Sequence, residues 1–541
     1  MTFMRRSRVF PAALVTVLLS AVLGGVFGNS VVQSQDEVTQ HYRVFTFALA
    51  AVERDYVEEL PSDRLVYGAI DGMLKTLDPH SSFFDPKSYA QMRERQHGSY
   101  YGLGITIQVV DGDITVMSIF EGSPAFKQGL RRGDVIAKIE SEDTKGWTSD
   151  QAVKRLKGPK GTKVNISLRR RGADDLINMD VVRDEVNITT VRGAFMVDKE
   201  TGYVKLAEFS ETSDRELGAA LEQLTAKGMK RLVFDLRDNP GGLLDQAIRV
   251  GNRFLPQGEL IVYQRGRAEN SDQEYRASEK SDYTNLPLIV LVNRNSASAS
   301  EIVAGALQDH DRAVIVGETT FGKALVQSVY RISEGAGVAV TTGRYYTPSG
   351  RLIQRPWDGS FDEYLTYAWR DQKEEPRSTA DLKYTDAGRK VYGGGGVQPD
   401  KFLAGPIEGF TPTRFGRMLY GRQTFANFAD QYQAAGDTRL SAANKNKKPI
   451  TRGFVIDDAM MAAYRASLES QKIKIEDAAF KDDEAFIKAM IHYEIDLALF
   501  GIDEARKNLI SMDPQAQFGY KQIADAERMT EVAKVRTKGA K

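Results

Sequence analysis

A serine-rich turn and a lysine downstream of it are the side chains whose types and spacing best suit catalysis in this sequence. The turn covers residues 293–300, after an apolar run at 286–292 and before apolar spacing at helical period from Glu301. The order of strand, tight turn and helix exposes a side chain at the tip of a sheet and aims backbone N–H groups at it. A serine placed there, such as Ser298, needs a base before it acts as a nucleophile.

The candidate bases are few. His310 lies at the end of the helix that follows Ser298, a turn or more from the tip, and the other histidines lie far along the chain. A lysine serves instead if burial lowers its pKa enough to make it neutral. Lys323 has apolar neighbours and precedes a β-like run, and Gln327, four residues on, would share its face of a strand. The histidines are His41, His80, His97, His310 and His492.

A second segment repeats the order of strand, glycine turn and helix. The strand covers 231–237, the turn contains Gly241 and Gly242, and the helix continues through Phe254. A dinucleotide or phosphate loop is disfavoured because the G-x-G-x-x-G spacing is missing. The alternation of strands and helices from 203 to 317 predicts an α/β sheet that positions both turns.

Two motifs give a family resemblance. The run Asn295-Ser296-Ala297-Ser298-Ala299-Ser300-Glu301 resembles the nucleophile motif of the carboxy-terminal processing peptidases, also called tail-specific proteases, and Thr320-Phe321-Gly322-Lys323 through Gln327 resembles their lysine motif. The resemblance implies that Ser298 is the nucleophile, that Lys323, 25 residues later, is the base, and that Gln327 orients the lysine. The sequence departs from the family pattern at Asn295 and Ala324, where the family usually or often has glycine. Neither position carries the chemistry.

The same resemblance implies an oxyanion hole, since a tetrahedral intermediate needs preorganised N–H donors. The glycine turn resembles the family motif that supplies half of this hole, so one donor is assigned to Gly242, with Gly241 as the near alternative. The other donor is assigned to Ala299. The alternative for the serine motif alone is that Ser298 caps a helix and Lys323 is a solvated surface lysine.

Residues 96–183 resemble a PDZ domain. Short alternating strands surround Ser123-Pro124-Ala125 and a helix at 149–156. The peptide-binding candidates are Gly102, Leu103, Gly104 and Ile105, because the glycines let consecutive N–H groups cup a terminal carboxylate and the next strand edge accepts a peptide. The alternative is a folded β spacer that binds nothing.

The ends of the chain are less specific. In residues 1–30, Arg5, Arg6 and Arg8 precede an apolar stretch at 9–27. This pattern predicts a signal peptide or a membrane anchor. Residues 31–95 and 406–541 are predicted to be helical. In the second of these regions the predicted apolar face consists of Phe486, Met490, Tyr493, Leu497 and Phe500.

Composition excludes several classes of function. The chain has 541 residues, 42% hydrophobic and 27% charged, which is typical of a globular protein. The chain has 73 basic residues (Lys and Arg) and 73 acidic residues (Asp and Glu), so its net charge is zero. This balance gives no indication of a nucleic-acid partner. The absence of cysteine excludes disulfides, thiol catalysis and cysteine-ligated metals. No metal motif is present, and no cofactor is expected.

The predicted fold is an α/β protease core at 184–405, with crotonase-like or ClpP-like βαβ units, an inserted PDZ domain at 96–183, and helical regions at 31–95 and 406–541. The resemblance spans about 40–405. It implies a serine endopeptidase that cleaves proteins with free C-termini near those termini. The N-terminal segment predicts that this enzyme is exported, either periplasmic or membrane-anchored with its body outside the cytoplasm. The sequence leaves homo-oligomerisation open. The rival functions are a PDZ-mediated interaction protein with an inert core and an enzyme of acyl-CoA chemistry, since glycine-turn oxyanion holes serve both chemistries.

Overall fold

The computed structural model describes residues 38–170, 172–269, 271–332, 335–357, 361–369, 381–405, 410–438 and 446–539. It divides the chain into two compact units, Met1–Asp85 and Pro86–Lys541. The predicted signal peptide or anchor at 1–30 lies outside the described residues. Within these ranges, no helix combines the length and apolar character that a membrane crossing requires.

The first unit is mainly helical. It contains α1 (38–55), α2 (Ser62–Leu74) and the short strand β1 (Ser82–Phe84). The rings of Tyr67 and Phe83 pack with their centroids 4.7 Å apart. Between α2 and β1, the Asp78 carboxylate accepts hydrogen bonds from the His80 and Ser81 N–H groups, both at 2.8 Å, so Asp78 stabilises a turn.

The second unit begins with a helix and a PDZ-like sheet. This sheet has the antiparallel order β3-β4-β5-β7-β8, so β3 is an edge strand, and β2 pairs separately with β9. Its core includes Leu103, Ile136 and Ile166. The elements are α3 (Pro86–His97), β2 (Ser99–Gly102), β3 (Ile105–Val110), β4 (Asp113–Ile119), α4 (Pro124–Lys127), β5 (Val135–Ile139), β6 (Glu142–Asp143), α5 (Ser149–Leu156), β7 (Lys163–Arg169), β8 (Ile177–Val182) and β9 (Asp184–Asn187).

The predicted α/β core is confirmed as a six-stranded sheet of order β10-β11-β12-β15-β16-β21. All of its pairs are parallel except β10 with β11. Its elements are β10 (Val191–Met196), β11 (Thr201–Leu206), α6 (Ser213–Ala226), β12 (Arg231–Asp235), α7 (Leu244–Phe254), β15 (Leu288–Val292), α8 (Ala299–Asp309), β16 (Val314–Gly317) and β21 (Lys401–Phe402).

A second, antiparallel sheet lies in the same segment of the chain. Strands β13 and β17 pair with β18, and β14 pairs with β13. The elements are β13 (Leu260–Gly266), β14 (Gln273–Arg276), β17 (Leu325–Arg331), β18 (Gly337–Tyr346), α9 (Phe361–Leu365) and the hairpin of β19 (Leu382–Tyr384) and β20 (Lys390–Tyr392).

The C-terminal region is helical, as predicted, with one small parallel sheet of β22 and β23. The most deeply buried stripe of α14 is Ile487, Ile491 and Ile495. The residues of the predicted apolar face are only partly buried, except for Met490. The elements are α10 (Arg414–Gly421), α11 (Thr424–Ala429), β22 (Tyr432–Ala434), β23 (Lys448–Ile450), α12 (Asp458–Ser470), α13 (Asp477–Asp482), α14 (Glu484–Leu499), α15 (Ile502–Met512), α16 (Pro514–Tyr520) and α17 (Ile523–Gly539).

Candidate active site

Ser298 lies at a strained turn between β15 and α8. Its φ is 55°, although it carries a side chain. Such a conformation costs about 1–3 kcal/mol and persists only where the surroundings hold it. Two neighbours supply this support: the Ser296 hydroxyl donates to the Leu236 carbonyl at 2.8 Å, and the Ser300 hydroxyl donates to the Asn239 carbonyl at 2.9 Å. Ser298 is therefore held at a strand-to-helix elbow of the kind that presents a nucleophile.

The glycine turn after β12 lies directly against this elbow. A Cβ added to Gly241 would stand 2.7 Å from the Ser298 Cβ and 2.8 Å from the Ala299 nitrogen. The Asn239 carbonyl also accepts from the Ala297 N–H at 3.0 Å. Gly241 and Ser298 are 57 residues apart in the sequence, yet their two turns form one surface, and only glycine allows this approach.

Two backbone donors remain available on that surface. The Gly241 N–H is occupied, because it donates to the Asn239 side-chain oxygen at 2.9 Å. Within the described part of the chain, neither the Gly242 N–H nor the Ala299 N–H has an acceptor. The geometry thus favours Gly242 over its alternative Gly241 as an oxyanion donor, with Ala299 as its partner.

Lys323 and Gln327 are brought together. The Lys323 ammonium nitrogen donates to Gln327 Oε1 at 2.9 Å, and both side chains are half-buried. The sequence predicts this contact from a regular strand that contains both residues, but the structure forms it in a different way. Lys323 precedes β17, and the register shifts between Val326 and Gln327. A bulge, rather than the simple alternation of a strand, sets their relative orientation.

Glu301 ties the serine to the lysine segment, a role that the sequence analysis did not assign. Glu301 is fully buried, and one of its oxygens accepts from both the Ser298 N–H and the Lys323 N–H, each at 2.8 Å. The other oxygen accepts from the Gly322 N–H at 2.7 Å and the Thr320 hydroxyl at 2.5 Å. Burial raises the pKa of Glu301 to about 7, although these four hydrogen bonds act to lower it.

Tyr345, on β18, makes a second link. Its buried hydroxyl lies within hydrogen-bond distance of the carbonyl oxygens of both Ser298 and Lys323, so its single proton is shared between these two acceptors. The spacing of Ser298 and Glu301 is that of a helix capping box, a signal that could have identified Glu301. Nothing local marks Tyr345, because it comes from another sheet.

A buried charge network supports the glycine turn. Asp235, at the end of β12, accepts from the Tyr203 hydroxyl at 2.6 Å and from Arg237 Nη2 at 2.7 Å. Burial acts to raise the pKa of Asp235, but the charges of Arg237 and Lys205 outweigh it and hold that pKa well below its usual range. The carboxylate therefore stays ionised and fixes Arg237, the residue that immediately precedes the turn.

The PDZ loop places its four candidates at the start of edge strand β3. Gly104 has φ 78°, and a Cβ there would stand 2.2 Å from the Ser123 Cβ. Leu103 is only 2% exposed and belongs to the domain core, so Ile105 offers the accessible apolar surface. Gly102 ends β2.

His310 lies far from Ser298, at the opposite end of α8, which at 11 residues is about 16 Å long. Its Nδ1 is 2.7 Å from Asp386 and 3.5 Å from Glu259, and its Nε2 is 2.7 Å from the Leu260 carbonyl. Burial lowers the pKa of His310, but the hydrogen bonds to Asp386 and Leu260 more than offset this and raise it. An imidazolium satisfies these contacts. This group is the one His–carboxylate cluster with metal-like spacing in the described residues.

Comparisons with known proteins identify the family to which the chain is similar. The family model described as peptidase family S41 matches residues 200–358, the PDZ domain model matches 92–169, and the model of the activating protease CtpB N-terminal domain matches 28–88.

Two curated relatives align over most of their length. The carboxy-terminal-processing protease of Bartonella bacilliformis is 39% identical over 342 residues, which cover 62% of this chain and 78% of that protein. The carboxy-terminal processing protease CtpA of Bacillus subtilis is 35% identical over 356 residues, covering 65% and 76%. The chain is also similar to a solved structure, the PDZ domain of the carboxy-terminal protease from Vibrio cholerae in complex with peptide. The sequence identity is 32%, the alignment covers 16% of this chain and 98% of that domain, and the TM-score is 0.16.

Proposed function

The chain belongs to peptidase family S41 and is a serine endopeptidase of the carboxy-terminal processing type. From that premise we propose that it is exported and that it cleaves proteins near their C-termini. We propose that the catalytic groups are a dyad of Ser298 and Lys323. One observation carries the dyad. The N–H groups of Ser298 and Lys323 converge on a single oxygen of Glu301, and the Tyr345 hydroxyl lies within hydrogen-bond distance of both of their carbonyl oxygens. Two segments that are 25 residues apart are thereby held side by side.

Each residue has a defined role in the proposed mechanism. Neutral Lys323 takes the proton of the Ser298 hydroxyl as the oxygen attacks the scissile carbonyl. The tetrahedral oxyanion accepts hydrogen bonds from the Gly242 and Ala299 N–H groups. Protonated Lys323 then gives its proton to the leaving amine, and water releases the acyl group by the reverse sequence. Gln327 accepts from Lys323 and so limits where its nitrogen points.

The PDZ domain selects the substrate in this proposal. Strand β3 is an edge strand, so an extended peptide adds to it by backbone hydrogen bonds, and the loop before it faces the terminal carboxylate. The rival functions fit less well. An inert core would not need the strained Ser298 elbow or its two available N–H donors, and a PDZ domain has no evident use in acyl-CoA chemistry.

Export rests on the sequence alone. Arg5, Arg6 and Arg8 precede the apolar stretch at 9–27, which is the arrangement of a signal peptide or a single anchor. The body of the enzyme would then act outside the cytoplasm. Fractionation of cells that produce the full chain, with and without residues 1–30, tests this part of the proposal separately.

The substrate class is tested with an unfolded protein carrying a free C-terminus and its C-terminally amidated twin, in the presence of a metal chelator. The free form is expected to be cleaved near its end. Amidation removes the charge that the PDZ loop recognises, and hydrogen bonds to charged groups contribute about 1.5–3 kcal/mol, so kcat/KM should fall by about tenfold or more. The measurement is the mass of the products over time.

The control is binding of both tails to the full-length Ser298→Ala chain, which separates recognition from cleavage. The free acid should bind more tightly. Equal binding of the two tails would remove the PDZ loop from substrate selection. Loss of cleavage in the chelator would contradict the metal-free dyad.

Titration of Glu301 is expected to change turnover and the free energy of unfolding in opposite directions as the pH rises. Below about pH 7 the carboxyl group of Glu301 is protonated. The new O–H then faces four hydrogen-bond donors, which disturbs the backbone of Ser298 and Lys323. Turnover should therefore fall on acidification. Its pKa is higher in the folded chain than the ordinary 4.5, so its ionisation should lower the free energy of unfolding as pH rises from 4.5 to about 7.

The check is kcat and chemical denaturation over the same pH range, for the native chain and for Glu301→Gln. The variant cannot titrate at this position. It should lose the stability slope and should be poorly active at every pH, because its amide NH₂ faces N–H donors. A native stability slope that survives in the variant would assign the titration to another group.

A further inference from the structure

The last two helices complete the catalytic sheet. Along its central strands, alternate residues face two separate cores: Leu232, Val290 and Ile315 pack with α6, α7 and α8, whereas Val233, Leu291 and Val316 pack with α16 and α17. The approach is close, since a Cβ on Gly519 of α16 would lie 2.7 Å from a methyl carbon of Leu291. Residues beyond the segment matched by the S41 family model therefore form one layer of the catalytic domain.

Asp513, just before α16, connects this layer to the active site. One of its oxygens caps the helix by accepting from the Gln515 N–H at 2.9 Å and the Ala516 N–H at 3.1 Å. The other oxygen lies 2.7 Å from Nη1 of Arg237, and the side chains of Asp513 and Arg237 are 13% and 8% exposed. Water screens the attraction within a pair this well shielded less than it screens a surface ion pair, so removal of one partner is costly.

Arg237 is thus held between two carboxylates. Its Nη2 and Nε bind Asp235, and its Nη1 binds Asp513 and also donates to Gln515 Oε1 at 3.2 Å. The next residues along the chain form the turn of Asn239, Gly241 and Gly242 that rests against Ser298. Removal of one carboxylate leaves a buried guanidinium with incomplete compensation, which in general is strongly destabilising to the local arrangement.

We propose that Asp513 is a positioning residue for the oxyanion hole: through Arg237 it fixes the turn that carries the Gly242 N–H. This inference rests on the proposed function, because it assumes that Gly242 and Ala299 stabilise the tetrahedral intermediate formed on Ser298. It gives the C-terminal helices a direct part in catalysis. The catalytic sheet supplies one carboxylate to Arg237, that of Asp235, and the C-terminal helices supply the second, that of Asp513.

The test uses Asp513→Asn in the full-length chain. Asparagine caps helices as well as aspartate does, so α16 keeps its cap while Arg237 loses the charge. The kcat is expected to fall by about tenfold or more, since the loss of one oxyanion donor costs about 10²–10³, while KM stays near the native value. Asp513→Glu, which keeps the charge, should recover part of the loss.

The matched control is Asp457→Asn. Asp457 caps α12 by accepting from the Met460 N–H at 2.8 Å, and it has no ion pair with Arg237. This variant should keep native kcat. A peptide aldehyde, whose adduct with Ser298 places an oxygen in the oxyanion hole, should bind Asp513→Asn more weakly in proportion to the loss of kcat. Binding of free C-terminal tails should be unchanged.

The outcomes separate the two hypotheses. If the native chain cleaves the substrate and Ser298→Ala does not, the proposed function stands, and Asp513→Asn with native kcat and native aldehyde affinity would overturn the role of Asp513. A loss of kcat that matches only the fraction of unfolded protein, measured by circular dichroism, would also overturn it. If the native chain does not cleave, the proposed function itself has failed.

Discussion

Replacement of either Ser298 or Lys323 by alanine is expected to reduce turnover by a factor of about 10⁴ or more, because nucleophile and base act as a unit. The double variant should be little worse than either single one. In the structure, the two residues are held by shared contacts to Glu301 and Tyr345 rather than by independent supports. The measurement is kcat on the unfolded substrate for the native chain and the three variants.

Gln327→Ala is the graded control for the dyad. It removes the acceptor 2.9 Å from the Lys323 nitrogen but leaves both reacting groups, so it should cost less than either alanine variant of the dyad. Circular dichroism should show that all four variants are folded. Substantial turnover in Lys323→Ala would refute the assignment of the base.

Gly242→Ala is expected to have the second largest effect. Gly242 has φ 146°, a conformation that L-residues rarely adopt, and an added Cβ would lie 2.0 Å from the Phe209 carbonyl oxygen. That oxygen belongs to the backbone, so the turn itself has to move, and the Gly242 N–H moves with it. Since one oxyanion donor contributes about 10²–10³ to kcat, a loss of that size is expected with little change in KM.

Gly258→Ala is the matched control. Gly258 also has positive φ, 96°, but nothing lies within 4 Å of an added Cβ. The substitution should therefore cost only the conformational strain, about 1–2 kcal/mol of the free energy of unfolding, and leave kcat unchanged. If Gly258→Ala lowered kcat as much as Gly242→Ala, backbone strain in general, rather than the oxyanion donor, would explain the loss.

Local patterns predicted the elements that depend on local sequence. The helix Ser149–Leu156 and the strands Lys163–Arg169 and Ile177–Val182 lie where the pattern placed them, because a period of 3.6 or 2 and the flanking turn residues determine such elements. The α/β core followed in the same way from alternating strands and helices.

Contacts between distant segments could not be predicted locally. Tyr345 and Asp513 carry no local signature of their roles, since each acts on a residue brought close only by the fold. The capping-box spacing marks Glu301, but it does not reveal the contact of Glu301 with the Lys323 N–H. The bulge between Val326 and Gln327 was also invisible in the sequence, although the Lys323–Gln327 contact was anticipated from a regular strand. The pattern predicts an apolar face on α14 that starts at Phe486, whereas Ile487, Ile491 and Ile495 are the most buried residues, because that helix packs against α11 and α15 as well.

The central claim is that Ser298 is the nucleophile of a serine endopeptidase that works through an acyl-enzyme. The most direct measurement is acid quenching of the full-length chain with an activated peptide ester, followed by mass spectrometry of its fragments. The account predicts an acyl group on the fragment that contains Ser298, in the native chain and absent from Ser298→Ala. A native chain that hydrolyses the ester with no adduct at Ser298, or a Ser298→Ala chain that hydrolyses it equally fast, would contradict the account.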